Sequence, residues 1–568
     1  MTLALTTSLS GNEGKVSKDL SKLPTGKTVD VLVQFTGGDI SKEHAKILRK
    51  GGYLKKEFAG VGSALYSLKS EWVAELAADP AVAYMSPDRV VKGALEYTSP
   101  AVNATIAVSQ GWTGAGIGVA VIDSGVSAMH PDLWGRVVYS ESFHEGGTWT
   151  EDRNGHGTHV AGVVAGSGLM SSGTMATRKF QGVATRVSII NLRVLDENGS
   201  GTDSAAIGAI ERAIVLQKKY NIRVINLSLG RPVFESYRRD PLCQAVEKAW
   251  KAGMVVVVAA GNQGRNNAFG TSGYGLIGSP GNDPYVITVG AVKTLATASR
   301  GDDVITSYSS KGPTAVDHIV KPDLVAPGNR VVSAGSMGAF VTKYPENVVP
   351  VSYYLQSGSQ APSSFYYKLS GTSMATPAVA GAVAMLLQKD ATLTPDQVKG
   401  RLMRSASKTF PRYAVATDPV TGALYTSQHD IFTVGAGYLD VLAALSMTDK
   451  PAGSASSPTA YYDKTKQRIC LKATVPGQTL WTQANWGLSA VWGPFLFLNS
   501  TSALWGDSAL WGDSALWGDR ASALWGDSAL WGDSAMWGES SSSRTESTML
   551  TTMASFIEDI TIAVLGEN

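Results

Sequence analysis

"IGVAVIDSGV", residues 117–126, is an almost unbroken apolar run that stops on an aspartate and turns through a glycine. A run of this kind reads as a strand buried on both faces. Three more follow: "VSIINLRVL" (187–195), "RVINLSLG" (223–230) and "MVVVVAAGN" (254–262). Helical patterns such as "DSAAIGAIERAIVLQKKY" (203–220) lie between them. Apolar strands alternating with helices predict an α/β fold, with a mostly parallel sheet covered on both faces. Such sheets carry their sites at the C-terminal ends of strands, which here hold Asp123, Ser228 and Asn262. Farther on, "LTPDQVKGRLMRSAS" (393–407) predicts a helix with Thr394 as N-cap, Pro395 at the first position and Gln397 closing a capping box.

The chain's 568 residues exceed one ordinary core. A net charge of +2 gives no reason to expect nucleic acid or an anionic membrane as partner. No apolar run reaches the roughly 18 residues a transmembrane helix needs. The start, "MTLALTTSLSGNEGKVSK", lacks the basic leader and long apolar core of a signal peptide. Of the two cysteines, Cys243 falls in a helical pattern and reads as a small core residue. Cys470 lies in a different region, so a bridge between them is not expected.

Composition divides the chain. After an extension at 1–27, residues 28–94 read as a small α+β unit in the order β-α-β-β-α-β, which would be ferredoxin-like. Its second helix is expected over "SEWVAELAADP" (70–80), capped at the start. An irregular joint spans 95–104, the alternating α/β region 105–447, and a linker and spacer containing "PAGSASSPTA" 448–485. A hexapeptide repeat of the type "SALWGD" fills 486–539, and a last segment covers 540–568.

"NGHGTHVAG" (154–162) sets His156 and His159 three apart among glycines. A zinc pair would need further ligands, and no cysteine or intervening acid stands nearby. Glycine on each side of His156 lets other backbone or a substrate approach closely. "LSGTSMATPAVAG" (369–381) places Ser373 at the start of a helical pattern, where backbone N–H groups and the helix dipole favour negative charge. A serine nucleophile needs a base, and histidine has a suitable pKa; the base needs an orienting carboxylate, a role Asp123 fits.

"VIDSGVSAMHPDL" (121–133), "NGHGTHVAG" and "SGTSMATP" (370–377), in that order, resemble the three signature segments of the subtilisin-like serine proteases, the subtilases. The resemblance covers about 105–447. It implies a serine endopeptidase on a three-layer α/β/α sandwich, acting through an acyl-enzyme. Position by position it implies Ser373 as nucleophile, His156 as general base, Asp123 as its orienter and Asn262 as side-chain donor of the oxyanion hole. His159 is then a packing residue. Asn198, Gly199, Ser200 and Gly201 resemble the edge that pairs with an extended substrate. Ser228, Leu229 and Gly230 resemble the opposite wall, and Gly278 the floor of the main specificity pocket. A glycine there implies preference for a large apolar residue before the cut.

Residues 28–92 resemble the family's inhibitory propeptide, notably in "VLVQF" and "AVAYMSPD". This implies a self-processing zymogen, with Leu95, then Tyr97, as candidate cleavage positions, and a secreted or extracellular enzyme. No cofactor is implied for catalysis. Calcium is at most a structural ion: Asp132 matches one ligand position, but the family's calcium-binding loop is not recognisable in "VVAGSGLMSSGTMATRKFQGVAT" (163–185). Partners are protein or peptide substrates and the chain's own propeptide. The alternative, a surface-binding or adhesion protein on an inactive subtilase core, sits poorly with a complete set of catalytic residue types.

Three departures stand out. Ala378 occupies a position where the family usually has histidine. The tyrosine-rich segment 336–368 is longer than in compact subtilisins and reads as a rim, a lid or a surface insertion. In the repeat, Trp505, Trp511, Trp517, Trp525, Trp531 and Trp537 are separated by even numbers of residues, which puts them all on one face of a strand but scatters them around a helix. The array therefore reads as β-like, or as a disordered low-complexity tail. If ordered, it would pack on the protease, attach to a surface, or hold calcium through Asp507, Asp513, Asp519, Asp527 and Asp533.

Overall fold

The computed structural model describes residues 15–17, 20, 26–37, 41–58, 62–87, 97–267, 271–356, 362–418, 421–450, 452–463, 468–472, 474, 562–564 and 566–567. Leu95 and the whole Trp-Gly-Asp array lie outside these residues. The chain divides into two compact units, 1–92 and 93–568.

In the first unit, strands Thr28–Phe35, Tyr53–Phe58, Ser63–Lys69 and Val82–Pro87 form one antiparallel sheet. The second strand lies at one edge, followed by the third, the first and the fourth. With a helix after the first strand and another after the third, this is the ferredoxin-like order. Alternation makes the core: Val31, Val33 and Phe35 from the first strand meet Tyr66, Leu68 and Met85. The expected second helix is shorter than its sequence pattern. Residues Ser70–Trp72 form a 3-10 turn without a side-chain cap, and only Val73–Ala77 is α-helical.

The second unit is built on an eight-stranded sheet. Its path runs through Val304–Ile305, Ile287–Lys293, Val255–Ala259, Ile222–Leu227, Gly118–Asp123, Ser188–Arg193 and Val137–Ser142, with Leu324–Pro327 also paired to Ile287–Lys293. All pairings are parallel except the short Val304–Ile305 edge. Every residue of Gly118–Asp123 and of Val255–Ala259 is buried, as expected for strands covered on both faces. One helical layer contains the His156 helix (His156–Ala165) and the Ser373 helix (Thr372–Lys389), which pack on each other and on the sheet. The other contains Asp203–Tyr220 and Pro241–Lys251, likewise packed together. The three-layer α/β/α reading therefore holds. Local signals agree with it: Thr394 and Gln397 form the capping box at Pro395–Ser405. Cys243 is a buried free thiol in the Pro241–Lys251 helix.

Strand Gly118–Asp123 lies between Ser188–Arg193 and Ile222–Leu227, so the chain's crossovers diverge to either side of it. Its C-terminal end is a topological switch point, where a parallel sheet opens a crevice. Asp123 stands there.

Two boundaries drawn from composition are corrected. The "linker" after 447 is core: Ala455 and Ala460 belong to the main hydrophobic cluster, and Thr459–Asp463 pairs with Arg468–Lys472. Ser457, fully buried, donates to Asp323 Oδ1 at 2.5 Å and accepts from Lys399 Nζ at 2.9 Å. Asp323 is also paired with Lys321 at 2.7 Å, and all three charged side chains are fully buried. Small and hydroxylic residues resemble a linker in composition; here they fit a tight polar cluster. Of the last segment, the described residues 562–564 and 566–567 belong to the same unit, with Ile562, Val564 and Glu567 buried.

The repeat and the protease core are therefore expected to separate at different cuts than composition suggests. Removing 450–568 should cost the fold, whereas excising only 476–560 should leave a cooperative unfolding transition. Ser457→Ala should destabilise the unit by about 1–3 kcal/mol, because it strands buried charged partners. Thermal and urea unfolding of these variants checks each point.

Candidate active site

Asp123 is 1% exposed. Its Oδ1 accepts from Ser124 N and from His156 Nδ1, both at 2.7 Å. The contact depends on close backbone approach at the start of the His156 helix. Gly155 has φ +110°, which a side chain rarely tolerates. A Cβ on Gly157 would stand 2.1 Å from the Gly125 carbonyl and 3.1 Å from Asp123 Oδ1. The glycines flanking His156 thus let the helix start directly against the end of the Asp123 strand.

Asp152, which the sequence reading did not single out, completes this arrangement. It is buried and accepts from the backbone N–H groups of Asn154, Gly155 and Thr158 and from Ser124 Oγ, at 2.7–3.1 Å. It therefore caps the otherwise unpaired donors of the helix N-terminus. Its spacing four residues before His156, at the edge of a glycine turn, was the available signal. Burial works against charging His156. The Asp123 carboxylate outweighs this, with Asp152 adding to it, and the imidazole pKa lies above its ordinary 6.5. His159 behaves in the opposite way. It is fully buried, its Nε2 donates to the Val331 carbonyl at 3.0 Å, and burial pushes its pKa down to about 3. The two imidazoles thus have different partners, His156 a carboxylate and His159 a main-chain carbonyl.

Ser373 is the second residue of its helix, after Gly371 at φ +143°. Its hydroxyl donates to the Ser228 carbonyl at 3.0 Å. Among the described residues no hydrogen bond joins it to His156. In return Ser228 Oγ donates to the Ser373 carbonyl at 2.8 Å. That carbonyl would face the missing N–H of Pro377 one turn on, so Ser228 satisfies an acceptor the helix cannot. Ala378 is fully buried in the helix, packed without a polar partner. Asn262 Oδ1 accepts from Thr372 N at 2.9 Å and Thr372 Oγ1 at 3.1 Å, which fixes the amide's orientation and leaves Nδ2 as the group able to donate elsewhere.

The substrate-edge candidates separate into two groups. Arg231 and Ser279 exchange backbone hydrogen bonds at 3.0 and 2.8 Å, which brings Ser228–Leu229–Gly230 beside Gly278. A Cβ on Gly230 would lie 3.0 Å from Ser279 O, and one on Gly278 3.1 Å from Arg231 O. Asp240 accepts from Ser279 Oγ at 2.6 Å and pairs with Arg231 at 2.9 Å, so the acid nearest this wall is already compensated. Asn198, Gly199, Ser200 and Gly201 form a tight turn, with Asp196 Oδ1 accepting from Asn198 N and Ser200 N and a bridge between Leu195 and Gly201.

The chain matches the subtilase family over residues 114–469. It belongs to that family. It is 37% identical to the serine protease AprX of Bacillus subtilis, over 68% of this chain and 85% of the relative. It is 35% identical to subtilisin E of the same organism, over 65% and 81%. Against the extracellular serine proteinase of a Thermus strain it is 33% identical, over 61% and 71%. The subtilase is thus a subtilisin-like serine endopeptidase, and its family needs no cofactor for catalysis.

Asp132, the candidate calcium position, has its carboxylate engaged by protein donors. Asp132 is 2% exposed, and both its carboxylate oxygens are taken by donors: Met170 N at 3.0 Å and the Tyr366 hydroxyl at 2.7 Å. Tyr366 arrives from the long tyrosine-rich segment, whose described part carries strands and an aromatic cluster. Strands Val331–Ala334, Pro362–Leu369 and Val348–Pro350 form a separate antiparallel sheet, and Phe180, Tyr354 and Tyr366 pack a small aromatic core. A hydroxyl donor and an apolar enclosure stand where a cation would need oxygen ligands. Among the described residues, no group of three or more histidine, cysteine or acidic side chains is arranged to hold a metal.

Because Tyr366 and Met170 already engage both Asp132 oxygens, Asp132→Asn should leave any effect of a calcium chelator on the unfolding temperature unchanged to within about 1 °C. Tyr366→Phe should cost about 1–3 kcal/mol by stranding a buried Asp132 oxygen. Differential scanning calorimetry reads both.

Proposed function

We propose that this endopeptidase cleaves peptide bonds through Ser373 as nucleophile, His156 as general base and Asp123 as orienter, with Asn262 Nδ2 and the Ser373 backbone N–H receiving the oxyanion. The observation that carries this reading is the 2.7 Å contact between His156 Nδ1 and the buried Asp123 carboxylate. It fixes the tautomer, so that Nε2 is left as the acceptor. Rotation of the Ser373 hydroxyl away from the Ser228 carbonyl delivers its proton to that nitrogen as Oγ attacks the substrate carbonyl. Asp123 and Asp152 stabilise the imidazolium that results. His156 then returns the proton to the leaving amine, and water repeats the sequence to release the acyl group. The wall of Ser228, Leu229 and Gly230 and the turn Asn198–Gly201 hold an extended substrate between them. A large apolar residue before the cut fits a pocket whose wall and floor carry Gly230 and Gly278.

The enzyme is made as a zymogen. Residues 28–94 act as an intramolecular inhibitor and folding aid, and the chain cuts itself in the joint that follows. Leu95 is preferred to Tyr97 as the cleavage position. The Tyr97 carbonyl accepts from Ala101 N at 2.9 Å, and Ser99 Oγ donates to the Gln181 carbonyl at 2.7 Å, so the chain from Tyr97 onward is already tied into the protease unit. The mature enzyme works outside the cell. No helix among the described residues is long and apolar enough to cross a membrane.

Ser373→Ala should remain full length under conditions where wild type loses its first 95 or so residues, as read by intact mass. Processing of the variant in a protease-free preparation would refute self-cleavage. Because His156 must be neutral to act as base and its pKa is raised, kcat/KM should climb with pH through an apparent pKa above 6.5. An acid limb centred below that value would contradict the assigned base. Asn262→Ala should lower kcat by about a hundredfold to a thousandfold, with KM little changed.

A further inference from the structure

Beyond the repeat array, residues 562–567 return to the protease unit and sit behind the active-site loops. Ile562 is 2% exposed and belongs to the main core. The Ala563 carbonyl accepts from Ser370 N at 2.9 Å, and the Val564 carbonyl from Asn347 Nδ2 at 2.6 Å. Gly566 has φ +63°, and a Cβ there would stand 2.5 Å from Ser370 Oγ and 2.8 Å from Asn329 Oδ1. Asn329 clasps the next residue, its Oδ1 accepting from Glu567 N at 2.8 Å and its Nδ2 donating to Glu567 O at 2.9 Å.

Glu567 is 1% exposed. Its Oε1 accepts from Arg265 Nη2 at 2.9 Å, from Ser307 N at 2.8 Å and from Ser307 Oγ; Lys293 Nζ lies 3.6 Å from Oε2. Arg265 is itself buried, its Nε donating to Ser307 Oγ at 2.7 Å and its Nη1 to Asp418 at 2.6 Å. The positions gripped by this segment are telling. Arg265 is three residues beyond Asn262, and Ser370 is three residues before Ser373. Between them, Asn262 reaches Thr372, and Gly371 N donates to Gly328 O, next to Asn329. One short segment thus binds both loops that carry the two oxyanion donors. A buried charge placed only to fill space would cost stability; paired with Arg265 and aimed at a loop junction, it fixes geometry.

We propose that residues 562–567 are a positioning strap for the oxyanion hole, with Glu567 as the positioning residue acting through Arg265. In sequence, the described residues Arg468–Lys472 before the array and 562–564 and 566–567 after it belong to the protease unit. The strap rests on the assignment of Ser373 and Asn262 above, so its test starts from a wild-type chain shown to hydrolyse a small chromogenic peptide. A wild-type chain without activity would refute that assignment rather than the strap.

The test compares full-length wild type, Glu567→Ala and Glu567→Gln, with active sites counted by burst titration. Loss of oxyanion geometry should lower kcat of Glu567→Ala at least about tenfold, with KM within about twofold. Glu567→Gln keeps an acceptor oxygen toward Arg265 and Ser307 and should retain kcat within about threefold of wild type. A lower unfolding temperature in Glu567→Ala with kcat unchanged per active site would reduce the segment to a structural clip and overturn the proposal. So would equal kcat losses in both variants. If Glu567→Ala is recovered unfolded, Gly566→Ala carries the test: its methyl displaces the strap from Ser370, and kcat must fall with KM held, or the strap does not position the site.

Discussion

The active site is organised around one contact, the hydrogen bond from His156 to a carboxylate buried at the end of a central strand. Asp123 Oδ2 has no hydrogen-bond partner among the described residues. An unpartnered buried carboxylate oxygen is costly unless a positive charge develops beside it. The proposed mechanism creates that charge on His156 each time the base takes a proton. To keep the pair in contact, the chain must bring a helix start onto a strand end with almost no space between them. A Cβ on Gly125 would lie 2.8 Å from the Thr150 carbonyl, and one on Gly157 closer still to Gly125 itself. Asp152 holds the helix entrance in that position by taking three of its backbone donors.

The serine side solves a different problem. A nucleophile at the start of a helix gains backbone N–H donors, yet Pro377 one turn later deprives the Ser373 carbonyl of its normal partner. The reciprocal pair between Ser228 and Ser373 repairs the helix and parks the nucleophile's hydroxyl at the same time. Thr372 orients Asn262, and the proposed strap would tie down the loops that carry the two proposed oxyanion donors. Two helix entrances then each have a buried acid nearby: Asp152 at the start of the His156 helix, and Glu567 against the loops that lead to Asn262 and Ser373.

Much of this was readable in the sequence where the cause is local. Unbroken apolar strands with helices between them signalled the parallel sheet, because burial on both faces leaves no room for alternation. Thr394, Pro395 and Gln397 marked a helix start, since a capping box is satisfied within four residues. The candidate site residues were recognisable through glycine-rich contexts that reflect close backbone approach. What was not readable depends on partners far along the chain. Ser457 looks like linker until Asp323 and Lys399 surround it. Nothing near Asp132 announces that Tyr366, more than two hundred residues on, supplies a hydroxyl donor to it. Ser70 has capping chemistry but opens a 3-10 turn, and the α-helix behind it starts only at Val73. Glu567 lies in a short apolar end whose role appears only against Arg265.

The central claim is that Ser373 is activated by the pair formed at Asp123. Reaction of the processed enzyme, freed of its first 95 or so residues, with a fluorophosphonate, followed by peptide mapping, tests it most directly. One adduct per chain is predicted, located on Ser373, with no adduct on the same time scale in Asp123→Asn freed of the same residues by an added protease and shown by circular dichroism to be folded. Modification of a different serine, or labelling of Ser373 at the same rate without the Asp123 carboxylate, would contradict it.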